Sequence, residues 1–325
     1  MLSEFDLIRQ YFTRLPAADP RISLGIGDDC ALLLPTPGMQ MAISTDMLVE
    51  GRHFFAGADP GALGHKSLAV NLSDLAAMGA TPLAFTLALA LPQAEPEWLA
   101  PFAQAMLALA DLHDCNLIGG DTTKGPLTIC ITVFGELPRG AALRRDAALA
   151  GDDIWVSGTL GDARLALAAL RHEDDSLQLQ PRQLQQAGER MHRPTPRIAL
   201  GMALRGIAHA AIDISDGFAG DLGHILGRSG CGATIAVDAL PAGPVLQTQS
   251  VARRRAWTLG GGDDYELCFT APADSRAAVI AAGIAASTAV TRVGRIDAAS
   301  GLRLQDAAGL PLHLTPISFD HFRSQ

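Results

Sequence analysis

The chain has 325 residues and a mass of 34.0 kDa, more than one compact core usually takes up, so we expect two domains. Hydrophobic residues make up 48% of the chain and charged residues 18%, a balance that excludes a mainly disordered chain. Acidic residues exceed basic ones by 34 − 25 = 9, and Lys66 and Lys124 are the only lysines. The chain has no dense basic run apart from the arginines at residues 253–255. We therefore expect no nucleic-acid partner.

The cysteines and the apolar segments indicate the cellular context. The five cysteines are scattered and form no C-x-x-C pair, so we expect reduced thiols and neither a zinc site nor a disulfide framework. The N-terminal residues lack a basic region followed by an apolar one. The longest apolar stretch is far shorter than a membrane span. These features predict a soluble, cytoplasmic protein with no membrane partner.

In the first half of the chain, capping residues and apolar spacing predict helices, and short apolar runs predict strands. We predict helices over residues 3–12 and 59–79, and a third helix that begins at Pro96. We predict strands over residues 22–34, 39–45, 83–91, 115–118 and 127–135. A glycine-bearing connector, residues 140–151, follows these elements, and we place the domain boundary near residue 148.

The second half repeats the alternation of strands and helices. We predict strands over residues 154–156, 210–214, 233–237 and 265–270. We predict helices after Gly161, Pro196 and Gly217, and a surface helix or loop over residues 178–186. The alternation predicts an α/β protein, in part α+β-like, with two domains over residues 1–148 and 149–325. The first would hold a mixed sheet with helices, and the second an α/β sandwich.

Six short segments place Asp or Gly where a predicted strand gives way to a loop or a helix. They are residues 25–30 (Gly-Ile-Gly-Asp-Asp-Cys), 44–46 (Ser-Thr-Asp), 71–74 (Asn-Leu-Ser-Asp), 119–121 (Gly-Gly-Asp), 213–216 (Asp-Ile-Ser-Asp) and 260–266 (Gly-Gly-Gly-Asp-Asp-Tyr-Glu). Glycine lets backbone amides approach an anion, and Asp oxygens suit Mg²⁺. With two lysines in the chain, divalent ions must neutralise most of a polyphosphate. The segments together predict a site for a polyphosphate and Mg²⁺.

The motifs that the chain lacks narrow the chemistry. It contains no G-x-x-x-x-G-K-[ST], no H-R-D-L and no G-x-S-x-G, which disfavours P-loop, protein-kinase and acyl-transfer mechanisms. Asp213 and Asp216 form D-x-x-D, which differs from the D-x-D of aspartyl-phosphate enzymes. No covalent nucleophile is evident, so direct in-line phosphoryl transfer is the predicted mechanism.

These segments, in this order and over nearly the whole chain, resemble the thiamine-monophosphate kinase family. That family belongs to the aminoimidazole ribonucleotide synthetase-like ATP-binding superfamily. The resemblance implies two α/β domains and a homodimer in which the N-terminal sheets of two subunits pack together. It also implies that ATP phosphorylates thiamine monophosphate to give ADP and thiamine diphosphate.

The resemblance assigns roles to individual residues. The implied Mg²⁺ ligands are Asp29, Ser44, Thr45, Asp46, Asp74, Asp121, Asp213 and Asp216. The implied ATP contacts are Ser44, Thr45, Gly120, Asp121, Arg145 and Ser215. Those expected to act directly on the transferred phosphoryl group are Asp121, Arg145 and Asp216, and those expected to bind thiamine phosphate are His53, Asp263 and Phe319. Asp263 and Phe319 depart from the family pattern, which usually has Glu at the first position and often a hydroxylated or larger aromatic at the second.

Two other classes of function compete with this interpretation. Related ATP-dependent enzymes of the superfamily include aminoimidazole ribonucleotide synthetase, selenophosphate synthetase and the hydrogenase-maturation carbamoyl dehydratase. The chain lacks an N-terminal Cys-Gly pair for selenide, and it has Ser-Thr-Asp-Met where the purine enzyme has a Gly-Thr-Lys type of loop. A non-catalytic nucleotide sensor would have lost the metal-site carboxylates, which this chain keeps. Release of ADP with thiamine phosphate as acceptor would distinguish these classes.

Overall fold

The computed structural model describes residues 4–13 and 19–315, and it divides into two compact units. The first unit contains the described residues up to Leu75 together with Ala80–Gly140. The second contains Ala76–Gly79 and the described residues from Ala141 onward. The division falls between Gly140 and Ala141, at the start of the predicted connector, whereas we expected it near residue 148.

The first unit is built around a four-stranded mixed sheet. A small antiparallel pair, β1 (Ile22–Leu24) and β2 (Leu32–Leu33), precedes it. The sheet consists of β3 (Met39–Val49), β4 (Thr81–Leu91), β5 (Asn116–Lys124) and β6 (Thr128–Pro138). The strands lie in the order β3-β6-β4-β5, and only the β4–β5 pair is parallel.

Three helical segments accompany this sheet. They are α1 (Glu4–Leu7), which continues as a π-helical turn (Ile8–Phe12), α2 (Pro60–Ala77) and α3 (Pro96–Leu112). Residues 129, 131 and 133 alternate along β6 and are fully buried, as expected for a strand with one covered face. A Cβ atom at Gly64 of α2 would lie 2.1 Å from the carbonyl oxygen of Phe102, so α2 and α3 touch through their backbones. Glycine at position 64 permits this close packing.

The structure corrects several boundaries in the first unit. The predicted strand 22–34 is two short strands, because the Gly-Ile-Gly-Asp-Asp-Cys segment forms a loop in which Gly27 has a φ of +124°. The predicted strand 115–118 extends to Lys124, so the Gly-Gly-Asp segment lies within β5 rather than after it. Residues 44–46 likewise lie inside β3, and residues 71–74 lie inside α2. Ser3, the predicted helix cap, lies outside the described residues.

The second unit contains a six-stranded sheet. Its strands are β7 (Asp153–Ser157), β8 (Ala210–Ile214), β9 (Gly232–Ala236), β10 (Glu266–Ala271), β11 (Val290–Asp297) and β12 (Gly301–Gln305). The order is β12-β9-β11-β7-β10-β8, and the β9–β12 pair alone is parallel among these neighbours. The sequence did not predict β11 or β12.

The second unit also contains α-helices that connect or follow its strands. They are α4 (Asp162–Leu170), α5 (Pro181–His192), α6 (Ile198–Ala203), α7 (Phe218–Ser229), α8 (Val251–Gly260) and α9 (Arg276–Ala285). Phe218 and Leu222 of α7 are fully buried in one cluster with Ile212 and Ile214 of β8. Complete burial of each such side chain is worth about 1.5–3 kcal/mol, so this packing fixes the end of β8 against the start of α7.

The mixed α/β architecture with two units confirms the predicted fold class. The glutamine-rich segment contributes most of α5, which begins at Pro181. The sequence did not predict α8 and α9. No helix in the described ranges is both long enough and apolar enough to cross a bilayer.

Candidate functional site

Strand β3 and helix α2 bring together side chains from two of the six segments. The Ser44 hydroxyl donates a hydrogen bond to the Asp74 carboxylate. The backbone N–H of Asp46 donates to Oδ1 of Asn71 at 3.1 Å. The Thr45 hydroxyl lies 2.9 Å from the hydroxyl of Thr132 on the neighbouring strand β6. The Ser44 hydroxyl and the Asp74 carboxylate therefore lie together where β3 passes α2, whereas Thr45, the next residue along the strand, faces the opposite side of the sheet with Thr132.

Gly120 and Asp121 lie on β5, at the edge of the sheet. Gly120 has a φ of +149°, and a Cβ atom at this position would lie 1.8 Å from the carbonyl oxygen of Leu87. Only glycine fits this backbone against β4. Asp121 pairs with Ala88 of β4, and its side chain is exposed. The glycine thus fixes the strand immediately before an accessible carboxylate.

Asp29 and His53 lie on loops of the first unit. Asp29 is exposed between β1 and β2, and its own N–H donates to the Asp28 carboxylate at 2.8 Å. The described contacts do not join its side chain to any other predicted ligand. His53 follows β3 in a turn, and its Nδ1 accepts the N–H of Val49 at 2.9 Å. Because a backbone N–H can only donate, the neutral imidazole carries its proton on Nε2.

In the second unit, Asp213 and Asp216 flank the end of β8. Asp213 is the fourth residue of β8 and is 5% exposed, whereas Asp216 lies in the following loop and is half-buried. One oxygen of Asp221, Oδ2, accepts the N–H groups of Ser215, Asp216 and Gly217, each at 3.1 Å. Burial and then the nearby Asp216 charge raise the pKa of Asp221 to about 7, against the effect of these hydrogen bonds.

The segment that carries Asp263 packs on the Ser215 loop. The N–H of Asp263 donates to the carbonyl of Ser215 and that of Tyr265 to the carbonyl of Ile214, both at 2.8 Å. Asp263 and Tyr265 both have left-handed backbones, with φ of +69° and +50°. A Cβ atom at Gly262 would lie 2.4 Å from the Ser215 carbonyl oxygen. The predicted thiamine-phosphate and nucleotide residues of this unit are therefore held side by side.

A buried ionic cluster lies next to this segment. Glu266 is fully buried, and it binds Arg190 at 2.7 Å, Arg197 at 2.5 and 2.7 Å and the Ser157 hydroxyl at 2.6 Å. Asp264 is also buried and accepts the N–H of Gly161 at 2.9 Å. Burial raises the pKa of Asp264 well above its ordinary value. The chain on both sides of Tyr265 is thus anchored in the interior.

Sequence reasoning missed this cluster and Asp221. Arg190 and Arg197 lie in and after a glutamine-rich helix whose sequence gives no sign of a buried partner. Asp221 had a detectable signal, because it follows the Asp-Ile-Ser-Asp-Gly segment in the first turn of α7, where Asp commonly interacts with unpaired N–H groups.

Arg144 and Arg145 form an exposed arginine pair in the connector. Arg144 binds Asp146 at 2.5 and 2.8 Å. The carbonyl of Arg145 accepts a hydrogen bond from the Ser229 hydroxyl at 2.9 Å, whereas its guanidinium has no hydrogen-bond partner among the described residues. Of the two arginines, Arg145 is therefore the one available to a ligand. Phe319 lies outside the described residues.

A cleft of about 600 Å³ in the first unit contains none of the predicted site residues. Asp19, Arg21, Asp111 and Asp114 line it, together with Pro20, Ala110, Cys115 and Asn116. Arg21 binds both Asp19 and Glu136 at 2.7 Å, which gives it a structural role. We assign no function to this cleft.

The donor chemistry suits Mg²⁺, but the protein side chains do not form a closed metal cage. Within residues 4–13 and 19–315, no three His, Cys, Asp or Glu side chains lie close enough together to hold a metal ion. Mg²⁺ normally keeps several waters and binds through one or two carboxylates plus substrate phosphates. The hard oxygens of Asp74 and Ser44 fit that incomplete coordination.

Of the two lysines, Lys66 is 6% exposed on α2 and Lys124 is exposed at the end of β5.

Two family models match the chain, AIR synthase related protein, N-terminal domain, over residues 27–137 and AIR synthase related protein, C-terminal domain, over residues 150–307. The fold and its acidic segments therefore define an AIR synthase related protein. The thiamine-monophosphate kinase of Salmonella typhimurium is 45% identical over 98% of each chain. The chain belongs to the thiamine-monophosphate kinase family.

Two solved structures extend this comparison. A thiamine-monophosphate kinase from Stenotrophomonas maltophilia K279a is 47% identical, with a TM-score of 0.83 over 88% of this chain and 92% of that one. AaThiL complexed with AMPPCP and TMP is 30% identical, with a TM-score of 0.76 over 89% of each chain. Similarity therefore extends through both units.

Proposed function

We propose that this chain transfers the γ-phosphoryl group of ATP to thiamine monophosphate, giving ADP and thiamine diphosphate. The observation that carries the proposal is identity of 45% with a thiamine-monophosphate kinase over 98% of both chains. A second observation agrees, because the similar AaThiL was solved with both AMPPCP and TMP. All six Gly- and Asp-bearing segments are present in this chain.

The proposed Mg²⁺ ligands are oxygen donors of eight residues. They are Asp29, Ser44, Thr45, Asp46, Asp74, Asp121, Asp213 and Asp216. When bound, Mg²⁺ neutralises phosphate charge and orients the oxygens of the two substrates. The contact between Ser44 and Asp74 supports this role, because the hydroxyl holds the carboxylate in one orientation.

The protein positions the phosphates rather than forming a covalent intermediate. Ser44, Thr45, Gly120, Asp121 and Ser215 would contact ATP. Arg145 would bind the phosphoryl oxygens in the transition state, since its guanidinium is exposed while Arg144 is held by Asp146. The ionised phosphate of thiamine monophosphate is itself the nucleophile, so no general base is needed. We propose Asp121, Arg145 and Asp216 as the residues that act directly on the transferred phosphoryl group.

Thiamine phosphate would be bound by Asp263, His53 and Phe319. Asp263 suits the cationic thiazolium ring, and the contact of its N–H with Ser215 fixes its backbone. His53 presents a neutral imidazole whose Nε2–H can donate to a phosphate oxygen. Asp263 is one methylene shorter than the Glu usual in the family, so we expect a bridging water at this contact.

We also propose that the protein is a homodimer formed through the first sheet. Ile43 and Met47 alternate along the edge strand β3 and are 61% and 55% exposed. Two large apolar side chains on one face of an edge strand suit a second copy of the same sheet. Substitution of both by Asp should give a monomer in analytical ultracentrifugation, and an unchanged mass would contradict this interface. We also propose a cytoplasmic location, since ATP is the co-substrate.

Direct measurement of both products tests the proposed activity. Purified protein with ATP, Mg²⁺ and thiamine monophosphate should release ADP and form thiamine diphosphate in equal amounts. Thiamine, inorganic phosphate and the aminoimidazole precursor serve as alternative acceptors and should give no ADP above background. Turnover with the aminoimidazole precursor, or ATP binding without any transfer, would overturn the proposal. A phosphoenzyme trapped during turnover would contradict the direct mechanism.

A further inference from the structure

The loop between β8 and α7 has its backbone N–H groups directed into the protein. Three consecutive amides, those of Ser215, Asp216 and Gly217, donate to the same oxygen of Asp221 at 3.1 Å each. Asp221 is 3% exposed and lies in the first turn of α7. The buried carboxylate of Asp221 therefore accepts all three N–H groups of the loop.

The carbonyl groups of the same loop are also occupied. The carbonyl of Ile214 accepts the N–H of Tyr265, and that of Ser215 accepts the N–H of Asp263. A Cβ atom at Gly217 would lie 2.9 Å from the backbone of Gly260, so the loop has no room to rotate toward the segment that carries Asp263. The loop is held through its N–H groups on one side and through its carbonyls on the other.

This arrangement reverses what a glycine-bearing loop before a helix usually does. Such loops bind phosphate because their free N–H groups and the helix dipole both attract an anion. Here a protein carboxylate already accepts those N–H groups. The loop is left with its side chains, the Ser215 hydroxyl and the Asp216 carboxylate, which are oxygen donors suited to a cation.

We propose that Asp221 is a positioning residue that directs the amides of Ser215–Gly217 inward, so that this loop binds a divalent cation through oxygen atoms and not a phosphate through its N–H groups. The inference rests on the proposed function for the presence of a metal–nucleotide substrate. It adds a residue outside the ligand set. It also implies that backbone N–H groups other than those of Ser215–Gly217, or side chains, make the contacts with phosphate.

Hydrogen exchange of the free wild-type protein tests the first half of this proposal without substrate. The amides of residues 215–217 should be protected although they lie outside regular structure. Inorganic phosphate at millimolar concentration should leave their exchange unchanged. Rapid exchange of these amides, or protection that appears only with phosphate, would overturn the proposal.

Two variants of Asp221 test the second half. Asp221→Asn keeps one acceptor oxygen, which suffices because all three hydrogen bonds go to Oδ2. Asp221→Leu has nearly the same shape and no acceptor. In Asp221→Leu, protection of the three amides should fall roughly tenfold or more, because an unmade buried hydrogen bond costs about 1–3 kcal/mol. Asp221→Asn should retain most of it.

Metal binding gives a readout that simple destabilisation would not produce. Binding of Mn²⁺ in the presence of AMPPCP, followed by electron paramagnetic resonance, should weaken about tenfold in Asp221→Leu and much less in Asp221→Asn. Equal defects in both variants would show that charge, and not the acceptor, matters, and would overturn the proposal. Wild-type Mn²⁺ binding by folded Asp221→Leu would also overturn it. If Asp221→Leu does not fold, the wild-type exchange and the Asn variant still decide. Failure of the proposed function would appear separately, as wild-type protein that forms no thiamine diphosphate.

Discussion

The hydroxyl of Ser44 on β3 donates a hydrogen bond to the carboxylate of Asp74 on α2, thirty residues further along the chain. A strand residue and a helix residue thus present two adjacent oxygens. The contact joins two of the six segments that the sequence singled out, and in it the hydroxyl orients the carboxylate.

Substitution of Asp74 should have a larger effect on Mg²⁺-dependent turnover than substitution of Ser44. Asp74→Asn should lower turnover by about a hundredfold or more, since the charge itself is lost. Ser44→Ala removes one hydrogen bond worth about 1 kcal/mol, so the Mg²⁺ concentration for half-maximal rate should rise roughly fivefold. Steady-state rates over a range of Mg²⁺ concentrations measure both effects. Ser300→Ala, an exposed serine of the second unit, serves as the control. Equal rates for Asp74→Asn and wild type would contradict the assignment.

Asp121→Asn should lower kcat by about two orders of magnitude or more, because it removes a charge that we propose acts on the reacting phosphates. Folding should be unaffected, since the side chain is exposed on β5. ADP release and circular dichroism measure the two properties. Asp114→Asn is the matched control, because Asp114 is an exposed acid of the same unit with a φ of +50° that Asn tolerates. A loss of rate in the control as large as in Asp121→Asn would remove the special role of Asp121.

Adjacent glycines of β5 should respond very differently to alanine. Gly120→Ala places a Cβ atom 1.8 Å from the Leu87 carbonyl oxygen at a φ of +149°, so we expect a loss of several kcal/mol in stability or failure to fold. Gly119→Ala places its Cβ 3.9 Å from Thr86, which is ordinary contact. Thermal unfolding of the two variants should show a large fall in Tm for Gly120→Ala and a small change for Gly119→Ala. Similar Tm values for both would contradict this geometry of β5.

Protonation of Asp153 in acid should lower the free energy of unfolding of the second unit. Burial opposes its ionisation, but hydrogen bonds from Arg276 at 2.5 Å and Arg292 at 3.0 Å outweigh this and hold its pKa below the ordinary value. A lowered folded-state pKa means that the stabilisation is present above the unfolded-state pKa of about 4 and is lost as pH falls through the folded-state value.

Asp153→Asn should therefore lower the urea midpoint at pH 7 and approach the wild type near pH 3. We expect a loss of about 2 kcal/mol at pH 7, below the 3–5 kcal/mol for breaking a fully buried pair, because both arginines are half exposed. Tryptophan fluorescence follows the transition, since Trp155 lies on the same strand. Asp175→Asn, an exposed acid, is the control. A difference from wild type that stays constant between pH 7 and pH 3 would contradict the titration.

The chemistry-bearing segments could be predicted from the sequence because each combines Gly or Asp with a neighbouring apolar run. The secondary structure around these segments was harder to predict. The segments at residues 44–46 and 119–121 lie inside strands, because a parallel partner extends β5 past Gly120 and an antiparallel one extends β3 to Val49. A local pattern does not reveal such long-range pairing.

The support of the second-unit loops could not be predicted for a related reason. Glu266 is neutralised by Arg190 and Arg197, which lie 76 and 69 residues earlier in the chain. No spacing rule connects them, because the three side chains meet only after β10 and α5 have packed. Asp221 differs, since it lies a few residues after the amides that it accepts and a helix N-terminus gives that position meaning.

The scarcity of lysine gives the protein an unusual property for chemical labelling. Lys66 of α2 is buried, whereas Lys124 is exposed and lies three positions after Asp121 on the same strand. Of the two ε-amines, an amine-reactive dye would therefore modify one, at the edge of the first sheet. A fluorophore introduced there without mutagenesis would lie three residues from Asp121 on β5, and a change in its emission when ATP is added would support the proposed nucleotide contact.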